Sequence, residues 1–543
     1  MNKKLYQLFL LPIASLSISS AGAQGTYNTT ANLDINNIKA AALVHGDLWW
    51  NPATQNPACE FPKGSGKNIG QATGIWMGGY DHQGNLHIAA QTYRQNGNDY
   101  WPGPLDANGQ TTSATVQNWA RIWKIDQTTI DSFRAMTSHT TTNTPTTILE
   151  WPAKGNPYAK GNNGATLTIS DEMAPFVDVD SNGDYNPING DYPAIKGDQM
   201  LWFVYNDVAG THGTNTDPIG IETQVSAYGY SRGTAIDNIL YYDFKLLNKS
   251  QVDYDSFRMA MWSDMDLGFA FDDYIGYDSV HRMGIVYNAD SSDTQYGRQL
   301  PIAGVSMINL PGDAWGVAKP AGSFMTFDNS ATANGNPTSA VEYYNLMHSR
   351  NRVGTQISNP LTSQPATYIY PDDPSLAGGW SECAMANTPG DRRFVIATND
   401  FVLEHSSSQL VTMALVVQPM DTSNYCGSAN FTKIKDLADT AWNIYNNPLA
   451  PLPPIPNAVV NIAKRNLNIY PNPATETLFI TGDNVVATGA SIMIYDAVGR
   501  NIPAIMTKKN NKIEVDIHSL PNGIYTILYR NGDQMASNIF VKK

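Results

Sequence analysis

The run Ala450-Pro-Leu-Pro-Pro-Ile-Pro456 constrains this chain more than any other segment. Each of its four prolines lacks a backbone donor and holds φ near one value, so neither a helix interior nor a central strand passes through it. Residues 450–465 therefore read as a stiff, polyproline-like linker between a body, 24–449, and a terminal segment, 466–543. A chain of 543 residues also exceeds what one ordinary core holds. The division is expected on both grounds.

Charge follows the same division. The whole chain carries −14, while residues 464–543 hold nine Lys/Arg against six Asp/Glu. The body is therefore strongly acidic and the terminal segment mildly basic. With no basic run, the chain is a poor partner for phosphate backbones, and nucleic-acid binding is excluded. Hydrophobic residues at 42%, only 15% charged residues, 43 Gly and 32 Pro predict turn-rich β structure, not helical bundles or disorder.

The N-terminus reads as an export signal spanning 1–23. Lys3 and Lys4 precede a short apolar stretch from Leu8 to Ile18, and Ala21-Gly22-Ala23 fits a cleavage site that leaves Gln24 first. That stretch is too short to span a bilayer and nothing later approaches 18 apolar residues, so no transmembrane segment is expected. The cysteines are Cys59, Cys383 and Cys426. One disulfide with one thiol left over suits an oxidising compartment, and Cys383–Cys426 is preferred because other pairings bridge more chain.

After the linker, short alternating runs predict strands at 466–470, 477–481, 491–495, 512–517, 523–529 and 536–542. Within them stand Tyr470-Pro471-Asn472-Pro473, Tyr495-Asp-Ala-Val-Gly499-Arg500, Leu520-Pro521-Asn-Gly523-Ile-Tyr525 and the terminal Lys542-Lys543. In order and content these motifs resemble the type A C-terminal sorting domain of the type IX secretion system. The resemblance implies an Ig-like β-sandwich, a partner in the type IX machinery, and a secreted or cell-surface destination reached through the periplasm and outer membrane. An Ig-like binding module is the other reading of the same strands.

The body predicts a mainly-β, sandwich-like fold with few helices. Leu240, Tyr242, Phe244 and Leu246 alternate along one run, Phe257, Met259 and Met261 along another, and Val411, Met413, Leu415 and Val417 along a third. Helical spacing of Ile434, Leu437, Ala438, Ala441 and Tyr445 predicts a helix over 432–446 with Thr432 as N-cap, and a shorter helix is expected after Thr128. A subdomain break is expected near 210–220. The strings Gly64-Ser-Gly-Lys67, Ile75-Trp-Met-Gly-Gly79, Ala89-Ala-Gln-Thr-Tyr-Arg94, Trp101-Pro-Gly-Pro-Leu-Asp106 and Gly190-Asp-Tyr-Pro193 resemble large uncharacterised secreted proteins that carry the same sorting domain. That resemblance implies class and destination and brings no chemistry.

Two acidic stretches are candidate calcium sites. In Asp178-Val-Asp180-Ser-Asn182-Gly-Asp184, oxygen-bearing side chains stand at positions 1, 3 and 5 and Gly183 at position 6, as in an EF-hand-type loop. Position 12 is Asn189 where a bidentate Glu is expected, and Asp191 is available instead. The competing reading is an Asx-rich turn. The second stretch holds Asp264, Asp266, Asp272, Asp273 and Asp278, with Arg282 as a candidate counter-charge. A second calcium site, solvated turn acids, and a carboxylate pair for acid–base work all fit it.

Trp49, Trp50, Tyr100 and Trp101 lie among Asn, Gln and Gly, where exposed rings would stack on sugars, although a β core is the ordinary place for Trp. The sequence holds no phosphate loop, no His-Glu-x-x-His zinc motif and no Gly-x-Ser-x-Gly elbow. The sequence thus predicts a non-enzymatic secreted or surface protein, calcium-stabilised, for adhesion, matrix or envelope structure. The alternative is a polysaccharide-binding protein or a glycoside hydrolase using the Asp264–Asp278 acids.

Overall fold

The computed structural model describes residues 28–90, 99–312 and 319–449 of the body, and 467–482, 491–496, 501–502, 505–509, 512–531 and 534–543 of the terminal segment. The export signal, the proline-rich linker and Gly499 lie outside the described residues. The chain divides into two compact units, Met1–Pro451 and Leu452–Lys543.

The body is organised on two large antiparallel sheets. The larger runs in the order Trp123–Asp126, Gln199–Asn206, Ile221–Gly229, Ile239–Asn248, Ser408–Pro419, Pro301–Asn309, Met283–Asn288, Asp273–Asp278. The second runs Ser323–Phe327, Arg393–Ala397, Tyr254–Asp264, Ala72–Tyr80, Leu86–Ala90. Their facing sides share one core. Tyr277 of the first stacks on Phe324 of the second with centroids 4.6 Å apart. At Gly284 the sheets approach so closely that a Cβ would stand 2.8 Å from the Phe394 ring.

Both faces of the second sheet are covered. Ile75, Met77, Met259, Met261, Phe394 and Ile396 enter the shared core. Their neighbours Trp76, Ala260, Trp262, Val395 and Ala397 pack on the other side with Phe327 and Tyr343, under the short helix Ala340–Leu346. Trp76 stacks on Trp262 at 6.3 Å and meets Tyr343 edge-on at 4.7 Å. Alternation persists along these strands, but it selects one core over another and not core over water.

Residues 207–220, where the sequence suggests a division, instead connect two neighbouring strands of one sheet that are paired from Asn206↔Glu222 to Gln199↔Gly229. The long helix spans Ser428–Asn446 and begins one turn before the expected Thr432, with Gly427 as its N-cap. Tertiary bonds explain the extension. Asn430 accepts from Asp421 N–H at 2.7 Å and donates to Asp421 C=O, while the Cys383–Cys426 disulfide anchors the residue before the cap. Gln127–Arg134 forms the expected second helix and buries Ile130 and Phe133. Cys59 is buried and free.

The terminal unit is a β-sandwich. One sheet runs 468–470, 477–481, 512–516, 505–509, and the other 501–502, 491–496, 523–531, 534–542. Leu478, Ile480, Val515, Ile527, Tyr529 and Phe540 fill the core between them. The strands Asn501–Ile502 and Ile505–Lys509 are additional to those expected from sequence.

Candidate functional site

The first acidic loop is closed by a two-residue ladder, Phe176↔Pro193 and Val177↔Tyr192, which brings Asp178 beside Asp191. Gly183 and Ser181 take left-handed φ of 86° and 60°, so the chain reverses between the acids. Carboxylate oxygens of Asp178, Asp180 and Asp191 lie within 4.8 Å of one another. Asp178 accepts from Gly183 N–H at 2.8 Å, which holds its carboxyl below the ordinary range. Asp191 is fully buried and accepts from Val179 N–H at 2.7 Å and Asn186 N–H at 2.8 Å. Burial, reinforced by Asp180 and Asp178, pushes its carboxyl up despite those bonds.

The other two candidates in this loop have local duties. Asn182 accepts from Asp184 N–H at 2.8 Å, an Asx turn, and Asp184 packs on Gly155, where a Cβ would come within 2.3 Å of it. Asn189 at position 12 donates to Asp180 at 2.9 Å. Asp191, two residues further on, is the acid that joins the group.

The second stretch separates into two places. Asp273 and Asp278 stand at opposite ends of one strand. Asp278 belongs with His281 (3.0 Å) and Lys435 (3.6 Å), which ties the sheet to the long helix. Asp264 pairs across the sheet with Arg393, and its Oδ2 meets that guanidinium at 3.0 Å. Arg393 also reaches Asp391 at 3.0 Å. The counter-charge is therefore Arg393 and not Arg282, whose guanidinium donates to the Ile308 and Lys319 carbonyls. Oxygens of Asp264, Asp266 and Asp391 lie within 4.8 Å of one another. Paired glycosidase acids stand roughly 5–9.5 Å apart across a cleft. This three-acid group with a guanidinium has a different geometry.

The aromatic candidates are core residues. Trp49 donates to Tyr242 Oη at 2.9 Å, Tyr100 donates to Ala89 C=O at 2.9 Å, and Trp101 covers Gly210. All four are at most 5% exposed, so no ring face is free to stack on a sugar. The apolar area of each ring outweighs its polar surroundings in the sequence. Trp50 borders a cavity of ≈ 430 Å³, whose polar wall includes Asn32, Lys39, Asn51, Glu60 and Asn68.

Sequence reasoning missed a buried network around His212. Its two ring nitrogens face Ile88 C=O at 2.9 Å and Asp207 C=O at 2.6 Å, between the buried carboxylates of Asp99 and Asp207. Asp207 in turn accepts from Ile219, Gly220 and Ile221 N–H groups. These residues come from three separated segments, and no spacing in the sequence announces them.

In the terminal unit the motif residues have structural work. Asn472 donates to Ile539 C=O and accepts from Val541 N–H, both at 2.9 Å, stapling the Tyr-Pro-Asn-Pro segment to the last strand. Tyr525 donates to Pro521 C=O at 2.8 Å and stacks on Phe540. Gly523 opens that strand opposite Lys542, which is buried, and Lys543 N–H donates to Ala474 C=O at 2.9 Å.

This architecture defines a protein whose terminal β-sandwich is a unit of its own. Residues 468–543 match the family model described as a secretion system C-terminal sorting domain. The terminal unit is the sorting domain of the type IX secretion system, and the chain is exported to the cell surface or secreted. No curated protein matches the chain. Among solved structures, a polysaccharide lyase is similar at 8% identity and a TM-score of 0.18, over 60% of this chain and 34% of that one. The chain thus spans about a third of that protein's length, and this likeness carries no argument.

Proposed function

We propose that the body is a calcium-stabilised, non-enzymatic module of the cell surface or secreted matrix, delivered by its sorting domain for adhesion or envelope structure. The observation that carries this reading is the loop of Asp178, Asp180 and the buried Asp191, whose oxygens converge within 4.8 Å. A hard cation that takes six to eight oxygens suits that donor set. The buried acids elsewhere support a structural role. Asp207 accepts from the Gly220 and Ile221 N–H groups, and Glu382 accepts from Ile275 N–H in the strand Asp273–Asp278 and pairs with Arg392 at 3.0 Å.

The test is thermal unfolding of the mature chain with calcium and with excess chelator. Chelation is expected to lower the melting temperature, and Asp180→Ala to remove most of that difference. An unchanged melt in chelator would sink the calcium reading. Polysaccharide binding is the second reading, favoured by the polar cavity beside Trp50. A glycan panel with wild type and Lys39→Ala tests it, since binding at that cavity must weaken in the variant.

A further inference from the structure

A smaller antiparallel sheet of the body runs in the order Thr30–Leu33, Lys39–Leu43, Cys59–Glu60, Asn68–Gly70. Leu33, Ala40, Ala42 and Cys59 on one face enter the core shared by the two large sheets. The other face lines the ≈ 430 Å³ cavity beside Trp50. Lys39 stands opposite Glu60 and Glu60 opposite Asn68, so the three form a row across adjacent strands at steps of about 4.8 Å. Asn32 stands opposite Ala41 in the same wall.

Two observations mark this cavity as a binding site. Asn32, Lys39 and Asn68 are half-buried, yet the Lys39 ammonium and both carboxamides make no hydrogen bond or ion pair among the described residues. Polar side chains that converge on a concavity with their bonding capacity unused are what a polar ligand recognises. The floor is the second observation. Ala41 is 5% exposed but joins neither core cluster of the body, and its methyl group leaves the cavity open. Its backbone is tied to the adjoining segment, with Ala41 N–H donating to Ala58 C=O at 2.9 Å and Trp49 N–H donating to Ala41 C=O at 2.7 Å. The wall is therefore held in place by the fold.

We propose that this cavity binds a neutral, hydroxyl-rich sugar, with Lys39, Glu60 and Asn68 as the recognition row and Asn32 beside them. The inference rests on the polysaccharide-binding reading above and names its ligand class. An ammonium only donates, a carboxylate only accepts, and a carboxamide does both. A sugar hydroxyl also does both, so it answers every member of the row. The formal charges of Lys39 and Glu60 cancel, and a carboxylated sugar that met Lys39 would stand about one strand spacing from the Glu60 carboxylate. Glu60 is fixed in the wall by accepting from Gly66 N–H. The volume lies within the roughly 300–1,000 Å³ of small-molecule sites.

The experiment is titration calorimetry on the mature full-length chain, with cellohexaose, laminarihexaose, mannohexaose and xylohexaose as neutral probes and hexagalacturonate as the acidic one. At least one neutral probe is expected to bind, and the acidic one is not. Lys39→Ala, Asn68→Ala and Glu60→Gln are each expected to weaken that binding at least tenfold. Ala41→Met tests the same cavity by filling it, and Asn68→Ala, which removes no bond of the fold, carries the test if Ala41→Met does not fold; circular dichroism checks each variant. If no neutral probe binds, or if folded Asn68→Ala binds as wild type does, the inference is overturned. Hexagalacturonate binding that Lys39→Ala removes and Glu60→Gln strengthens would overturn the neutral class while upholding polysaccharide binding at this cavity. Binding of no probe at all overturns both.

Discussion

The strand Ser408–Pro419 at the centre of the body and the strand Gly523–Asn531 of the sorting domain use the same period-2 geometry to opposite ends. In the first, Val411 through Val417 are buried without interruption, because the second sheet covers one face and the helix Ser428–Asn446 packs on the other. In the second, Tyr525, Ile527 and Tyr529 are buried while Ile524 is 56% exposed. The sorting domain is a two-layer sandwich with one wet face per sheet, and the body is built in more layers. Side-chain chemistry reports the face only where one face meets water.

The sharpest test of this difference places one charge at a time. Leu415→Asp and Ala414→Asp, on opposite faces of one body strand, are each expected to cost about 5 kcal/mol, since both bury an unanswered carboxylate. In the sorting domain Ile527→Asp is expected to cost a similar amount, and Ile524→Asp only about 0.5 kcal/mol. Denaturant unfolding of the full chain reads both units. A large loss at Ile524 would break the comparison.

The next effect belongs to the body alone. The Cys383–Cys426 bridge closes a loop with a sequence separation of 43, and Cys383→Ser with Cys426→Ser is expected to cost about 4 kcal/mol in the chain-entropy model. The terminal unit's transition should not move. Chelation follows, at about 2.7 kcal/mol when free calcium is a hundredfold above its dissociation constant, again in the body transition only.

The smallest effect is a pH dependence at His281. Asp278, hydrogen-bonded to it, raises the imidazole above its ordinary 6.5, and His281 with Lys435 holds the Asp278 carboxyl below 3.8 despite burial. The histidine's contribution to stability is therefore full below 6.5 and lost as pH rises through the raised value. The aspartate's contribution is present above about 4 and lost as pH falls through the lowered value. A pH series of melting temperatures on His281→Gln should lose the decline on the alkaline side. If the variant keeps that decline, the His281–Asp278 tie is not its source.

The layered body also explains which elements were legible. The runs at 240–246, 257–261 and 411–417 are strands as expected, yet polar residues within them, such as Asp243 and Thr412, are buried and bonded to each other at 2.7 Å. The Gly-rich strand Ala72–Tyr80 shows no apolar–polar alternation in sequence because both its faces are core. The helix start shifted because a disulfide and an asparagine, not an N-cap side chain, hold its first turn.

By itself the sequence determined the division at the prolines, the β class, the export route and the local acid loop, since each rests on residues close together in the chain. Tertiary structure alone decided that Asp391 and Arg393 meet Asp264, that Asp278 leaves that group, and that Trp49, Trp50, Tyr100 and Trp101 are core. The reason is sheet pairing between segments more than a hundred residues apart. Such pairing assigns a carboxylate its partners and a ring its burial, and no local spacing encodes it.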